Sequence, residues 1–127
     1  GQLPVATIDE VKNFDGVLID TREANRYAGR KERLDLKAGH IPGAVSVPTR
    51  EILNPDNTFR PAEEIRATFE KVGVTDPNNV IVYSGSGVHS AQAIAAMHHA
   101  GLPGAALYLG GWSQWCADRN NPVERSD

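Results

Sequence analysis

An α/β domain, with a mainly parallel central sheet and helices on both of its faces, is the fold that three features of the sequence predict. Short apolar runs rich in β-branched residues alternate along the chain with stretches of helical periodicity, the order expected of a sheet built from βαβ units. The runs Val17-Leu18-Ile19 and Val80-Ile81-Val82-Tyr83 are apolar at every position, as strands covered on both faces require. A chain of 127 residues can bury about two-thirds of its unfolded surface around one core, so residues 1–127 are read as a single domain.

Thr7-Ile8-Asp9-Glu10 has the form of a capping box, in which the Thr7 hydroxyl and the Glu10 carboxylate satisfy amides at a helix start; the helix should run to about Phe14 and break at Gly16. Val17-Leu18-Ile19 follows as a buried strand with Asp20 at its carboxyl edge. Residues 21–27 are polar and compatible with a helix, and Gly29 with the charged residues 30–37 marks an excursion over the surface. Gly39-His40-Ile41-Pro42-Gly43 is turn chemistry, and Ala44-Val45-Ser46-Val47 is a strand stopped by Pro48, which lacks the N–H a ladder needs.

Asn54-Pro55-Asp56-Asn57 reads as a loop. Pro61 suits the first position of a helix, whose apolar stripe is Ile65, Phe69 and Val72 and whose cap is Gly73. After the turn Asp76-Pro77-Asn78-Asn79, the strand Val80-Ile81-Val82-Tyr83 leads into Ser84-Gly85-Ser86-Gly87. Residues 89–100 form an alanine-rich helix that sets Ala93, Ile94, Met97 and Ala100 against the sheet, and Gly101 ends it. Residues 105–109 make a last strand, and Gly110-Gly111-Trp112-Ser113-Gln114-Trp115 opens a short terminal helix.

A formal net charge of −3 supplies no long-range attraction for nucleic acid or an anionic membrane. Apolar stretches such as residues 91–97 fall far short of the roughly 20 residues that span a bilayer, and the amino terminus carries no leader pattern. A single cysteine, Cys116, permits no intrachain disulfide, and a reducing, cytoplasmic setting is expected. The histidines His40, His89, His98 and His99 show no metal-ligand spacing, so neither metal nor cofactor is expected, and His98 and His99 should lie on a helix surface.

Ligands of open parallel sheets bind beyond the carboxyl ends of the strands, which directs attention to the loop after Tyr83. Strand, glycine-rich turn and helix start would aim the backbone N–H groups of Gly85, Ser86, Gly87, Val88 and His89 toward one point, where the helix macrodipole adds about half a positive charge. Such a cradle holds an anion without basic side chains, although glycine also serves such turns for steric reasons alone. Three familiar loops do not fit: a phosphate-binding loop needs a Gly-Lys pair, a dinucleotide fingerprint needs glycine where Ser90 stands, and a nucleophile elbow centres on neither Ser84 nor Ser86.

Val82-Tyr83-Ser84-Gly85-Ser86-Gly87-Val88 instead resembles the active loop of the rhodanese sulfurtransferases, in which a cysteine leads into Gly-Ser-Gly-Val; Ser84 takes the cysteine's place. Ile19-Asp20-Thr21-Arg22, Arg26-Tyr27 with Gly29, and Gly39-His40-Ile41-Pro42-Gly43-Ala44 are similar to the first signature of that family, and Gly111-Trp112-Ser113 with Trp115 to the last. The set covers nearly the whole chain in order. It looks like the carboxyl-terminal, catalytic domain of two-domain thiosulfate or 3-mercaptopyruvate sulfurtransferases, and the Gly-Ser-Gly loop looks closer to the mercaptopyruvate type.

The resemblance implies a three-layer rhodanese fold and a thiolate that takes sulfane sulfur from a small-molecule donor, holds it as a persulfide and passes it to cyanide or a thiol acceptor. A helix N-terminus and backbone amides can hold a cysteine pKa at about 3.5 to 7.5; an alcohol is far less acidic, so Ser84 implies negligible sulfur transfer. By the same resemblance Arg26 is the arginine for the substrate anion and Ser86 a further anion donor, with an amino-terminal rhodanese domain as a further partner; Asp20 and Arg22, two apart at the strand end, are read as a supporting charge pair, and Trp112 as an edge of the site.

His40 is read as a hydrogen-bonded turn residue, Trp115 as core and Cys116 as a half-buried thiol off the cradle. His89 departs from the family's threonine and either lines the pocket or faces solvent. An engineered substitution and a natural non-catalytic domain both account for Ser84, the latter making the chain an anion- or partner-binding module. Ser90 stands where a cysteine phosphatase needs arginine, which argues against phosphate-ester chemistry, and hydrolysis by a Ser84–His89 pair lacks a placed acid.

Overall fold

The computed structural model describes residues 4–29, 39–85 and 88–125; the excursion over residues 30–37 and the loop residues Ser86 and Gly87 lie outside the described residues. The elements are β1 (Val5–Ala6), α1 (Ile8–Lys12), β2 (Val17–Asp20), α2 (Ala24–Ala28), β3 (Val45–Ser46), α3 (Ala62–Lys71), β4 (Val80–Tyr83), α4 (Val88–His99), β5 (Ala106–Tyr108) and α5 (Gly111–Ala117), with 3-10 turns at Thr49–Glu51 and Pro77–Asn79. The strands form one five-stranded sheet in the order β1-β5-β4-β2-β3, and every pairing is parallel.

Successive residues of a strand point to opposite faces, and the two cores follow that rule. Ile19, Val80 and Val82 pack with Ile65 and Phe69 of α3 and Ala93, Ile94 and Met97 of α4. Leu18, Ile81 and Tyr83 pack with Val11 of α1 and Trp112 and Trp115 of α5. The expected three layers are therefore present, and the apolar runs of β2 and β4 exist because both of their faces are covered.

Local chemistry sets most element ends. Glu10 N–H donates to Thr7 Oγ1 at 3.2 Å while Thr7 N–H donates to Glu10 Oε1 at 3.2 Å, the reciprocal capping expected. Several boundaries differ from expectation. α1 ends at Lys12, with Asn13 as its cap, short of Phe14. Pro61 is the N-cap of α3, its ψ of 141° lying outside the helix, because the first helical residue is Ala62. Gly73 stands one residue beyond the cap Val72, with the positive φ of 99° that a helix exit favours in glycine. β1 was not expected: two residues carry no periodicity, and the strand exists because β5 offers an edge, Val5 pairing with Leu107 and Ala6 with Tyr108.

The strand order also locates a topological switch point. β2 leads through α2 to β3 on one side of the sheet, whereas its neighbour β4 leads through α4 to β5 on the other. The loops leaving these adjacent strands diverge, which is the switch point at which open α/β sheets bind ligands. Residues 20–22 and 84–85 are the segments that leave the two strands there.

Candidate functional site

Asp20 and Tyr83 end the adjacent strands in register, and Thr21 joins the two departing segments by donating from both N–H and Oγ1 to the Tyr83 carbonyl, each at 3.0 Å. Asp20 is fully buried and Arg22 nearly so. Arg22 Nη2 lies 3.0 Å and Nε 3.1 Å from Asp20 Oδ2, Nη2 also donates to the Gly39 carbonyl, and the guanidinium sits 4.3 Å from the centre of the Trp112 ring. The expected charge pair is thus built into the floor. Tyr83 O–H accepts from Ile41 N–H at 3.1 Å, and burial, with the Asp20 carboxylate beside it, pushes the Tyr83 phenol well above its usual range.

The loop after β4 is held from the carboxyl-terminal end of the chain. Trp112 N–H donates to the Ser84 carbonyl at 2.8 Å, and Ser113 Oγ to the Gly85 carbonyl at 2.8 Å. Gly111 makes this approach possible: its φ is +57° and a Cβ there would stand 2.3 Å from the Ser84 oxygen. The Gly-Trp-Ser element therefore fastens the loop through main-chain contacts. Trp112 is 1% exposed, and its ring lies beneath the Arg22 guanidinium.

The Ser84 side chain is fully buried, and its Oγ lies 3.1 Å from Ser90 Oγ in the first turn of α4. Ser90, equally buried, is a site residue that sequence reasoning missed. Its signal was present: it is the polar member of a helix face otherwise made of Ala93, Ile94, Ala96 and Met97. Gly85 is half-buried, and Val88 and His89 are exposed at the rim. His89 Nδ1 lies 3.3 Å from Gln92 Oε1. With Ser84 buried against Ser90, this is not the arrangement of a hydrolytic nucleophile and base.

Arg26 is half-buried on α2, beyond the carboxyl end of β2. His40 is buried, stacks on Tyr27 with ring centres 3.8 Å apart and donates from Nδ1 to the Tyr27 carbonyl at 2.8 Å. Its backbone bridges to Glu124, so the expected structural role is met by tying the tail to the turn. Cys116 is half-buried on α5; burial, with Cys116 beside it, pushes the Tyr108 phenol up to about 12. Among the described residues there is no cluster of metal-ligating side chains and no helix long and apolar enough to cross a membrane.

The rhodanese-like domain profile matches residues 6–118. The chain belongs to the rhodanese family. Among rhodanese relatives it is similar to the sulfur carrier protein TtuD of Thermus thermophilus, 34% identical over 85% of this chain and 41% of that protein. It is 37% identical to the 3-mercaptopyruvate sulfurtransferase of Escherichia coli K12, over 84% of this chain and 38% of that protein. The chain spans about two-fifths of the length of the curated relatives it matches. The anaerobic ergothioneine biosynthesis enzyme from Chlorobium limicola, solved in complex with trimethyl histidine, superimposes on 97% of this chain and 32% of its own, with a TM-score of 0.84 and 28% identity. A persulfide form of EanB with ergothioneine is equally similar, at a TM-score of 0.85.

Proposed function

We propose that this rhodanese domain is built for persulfide transfer at residue 84 and is silent because that residue is serine. The observation that carries the reading is the position of Ser84: the first residue after the central strand, at the switch point, beside the start of α4, with its carbonyl fastened by Trp112. A thiolate there attacks the outer sulfur of thiosulfate; a sulfur–sulfur bond forms as the donor's breaks, and its electron pair leaves with sulfite. Cyanide then takes the outer sulfur of the persulfide as thiocyanate and returns the thiolate, so two half-reactions close without a further redox partner. With 3-mercaptopyruvate as donor the carbon–sulfur bond breaks, its electron pair leaves with the organic fragment as an enolate, and that carbon takes up the donor's thiol proton to give pyruvate.

Serine supports neither half. The alkoxide is not available near neutral pH, and an oxygen–sulfur adduct has none of the persulfide's stability. Arg26, half-buried beyond β2, is the residue assigned to the donor's sulfonate or carboxylate, since its planar fork suits such oxygens; Arg22 is held by Asp20 in the floor. The test is to restore the thiol. Ser84→Cys is expected to produce thiocyanate from cyanide with thiosulfate or 3-mercaptopyruvate, and to gain the mass of one sulfur atom after donor alone, while the unaltered chain does neither. A folded Ser84→Cys protein that forms no sulfur adduct with either donor overturns the proposal.

A second reading, an anion- or partner-binding module, draws on the open rim, where Val88 is 64% exposed at the start of α4 beside the exposed His89. Calorimetric binding of sulfite or thiosulfate to the unaltered chain, with an inert Ser84→Cys protein, would favour it.

A further inference from the structure

Ser90 has no part in the resemblance that identified the loop, yet its side chain meets the side chain of residue 84. From the 3.1 Å contact between two fully buried hydroxyl oxygens, we infer that Ser90 is a positioning residue, whose O–H holds the reactive atom of residue 84 in place and donates to it when that atom is negatively charged. The inference rests on the reading of residue 84 as the reactive position and adds a second residue to it.

The argument begins with the helix. The buried face of α4 consists of Ser90, Ala93, Ile94, Ala96 and Met97, at the spacings that bring side chains onto one face against the sheet. Alanine at position 90 would continue that face without desolvating a hydroxyl, whereas a buried hydroxyl costs free energy unless it is hydrogen-bonded. The sheet supplies the reason for its place. Along β4, Val80 and Val82 point to the α3–α4 side and Ile81 and Tyr83 to the other, so the next residue in the alternation returns to the α4 side, where Ser90 stands.

Between two hydroxyls either oxygen can donate, and the bond is a neutral one. With sulfur at residue 84 the choice disappears: a thiolate only accepts, and Ser90 must donate. Hydrogen bonds to a charged partner are about twice as strong as neutral ones, so the contact favours thiolate over thiol. It also favours departure of the thiolate when an acceptor removes the outer sulfur, because charge then returns to the sulfur atom that Ser90 touches.

The experiment uses the 127-residue chain carrying Ser84→Cys, with Ser90 intact or replaced, and reads the thiol titration by thiolate ultraviolet absorbance and by the pH dependence of iodoacetamide alkylation. Ser84→Cys/Ser90→Ala is expected to titrate about one pH unit higher, a tenfold change in the thiol–thiolate equilibrium. Ser84→Cys/Ser90→Thr should titrate with the parent and Ser84→Cys/Ser90→Val with the alanine form, a pair that differs only in the hydroxyl and covers any loss of packing. Equal midpoints for the threonine and valine proteins overturn the inference. Sulfur transfer is read separately: a lowered, Ser90-dependent titration without thiocyanate would sink the proposed function and leave this inference standing, and thiocyanate formation with Ser90-independent titration would do the reverse.

Discussion

Arg22 shows how fully the fold itself can engage a charged residue at the switch point of a sheet. Its guanidinium is consumed by Asp20, the Gly39 carbonyl and the Trp112 ring, and both ionic partners are out of water. Removing one member of such a pair leaves a buried, uncompensated charge, which costs about 3–5 kcal/mol. Arg22→Met should therefore lower the unfolding free energy from urea titration by about that amount, and Asp20→Asn added to it should restore part of the loss, since the stranded charge is then gone. A strictly additive pair of losses would show that the two side chains do not interact as described. Sequence made the pair legible because aspartate and arginine two apart at a strand end can fold back on each other; the contact with Trp112 was not legible, since nothing in the chain's order links residue 22 to residue 112.

At the scale of elements, the junction between α5 and the loop after β4 is the point where a small change should travel furthest. Gly111 and Gly43 both have positive φ, of 57° and 84°, but a Cβ at Gly43 meets nothing within 4 Å whereas one at Gly111 meets the Ser84 carbonyl. Gly43→Ala should cost only the strain of a left-handed alanine, about 1–2 kcal/mol. Gly111→Ala must also push α5 off the loop, so its loss of stability in urea should exceed that of Gly43→Ala, and when combined with Ser84→Cys it should lower thiocyanate formation where Gly43→Ala does not. Equal effects of the two substitutions on stability would show that the approach of α5 is not close. The glycines themselves stood out in the sequence, but their different reasons did not, because positive φ is a local property and a neighbour's carbonyl is not.

For the whole molecule, the three tyrosines share a direction. Burial raises Tyr27, with Asp20 and Glu124 adding to it; burial and Asp20 raise Tyr83 well above 10.0; and burial and Cys116 bring Tyr108 to about 12. A phenol whose folded value lies above its unfolded value keeps its proton in the native state after the unfolded chain has lost it. The stability it supplies is complete below about pH 10 and is lost as pH rises through the folded value. The urea midpoint should accordingly fall between about pH 10 and pH 12, and Tyr108→Phe should shallow that fall. An alkaline limb unchanged in Tyr108→Phe would assign the loss to other groups.

The sequence by itself determined the alternation of strands and helices, the burial of both sheet faces, the glycine loop after Tyr83 and the order of motifs that resembles a rhodanese, because periodicity, caps and turn residues act over a few neighbours. Only the tertiary structure decided that β4 is central, that β1 exists, that Trp112 supports the loop from inside, and that Ser90 meets Ser84. Those facts belong to pairs such as Asp20 with Tyr83, His40 with Glu124 and Ser84 with Trp112. They are set by which distant segments close on one another, and loop closure leaves no periodic mark on the residues it joins.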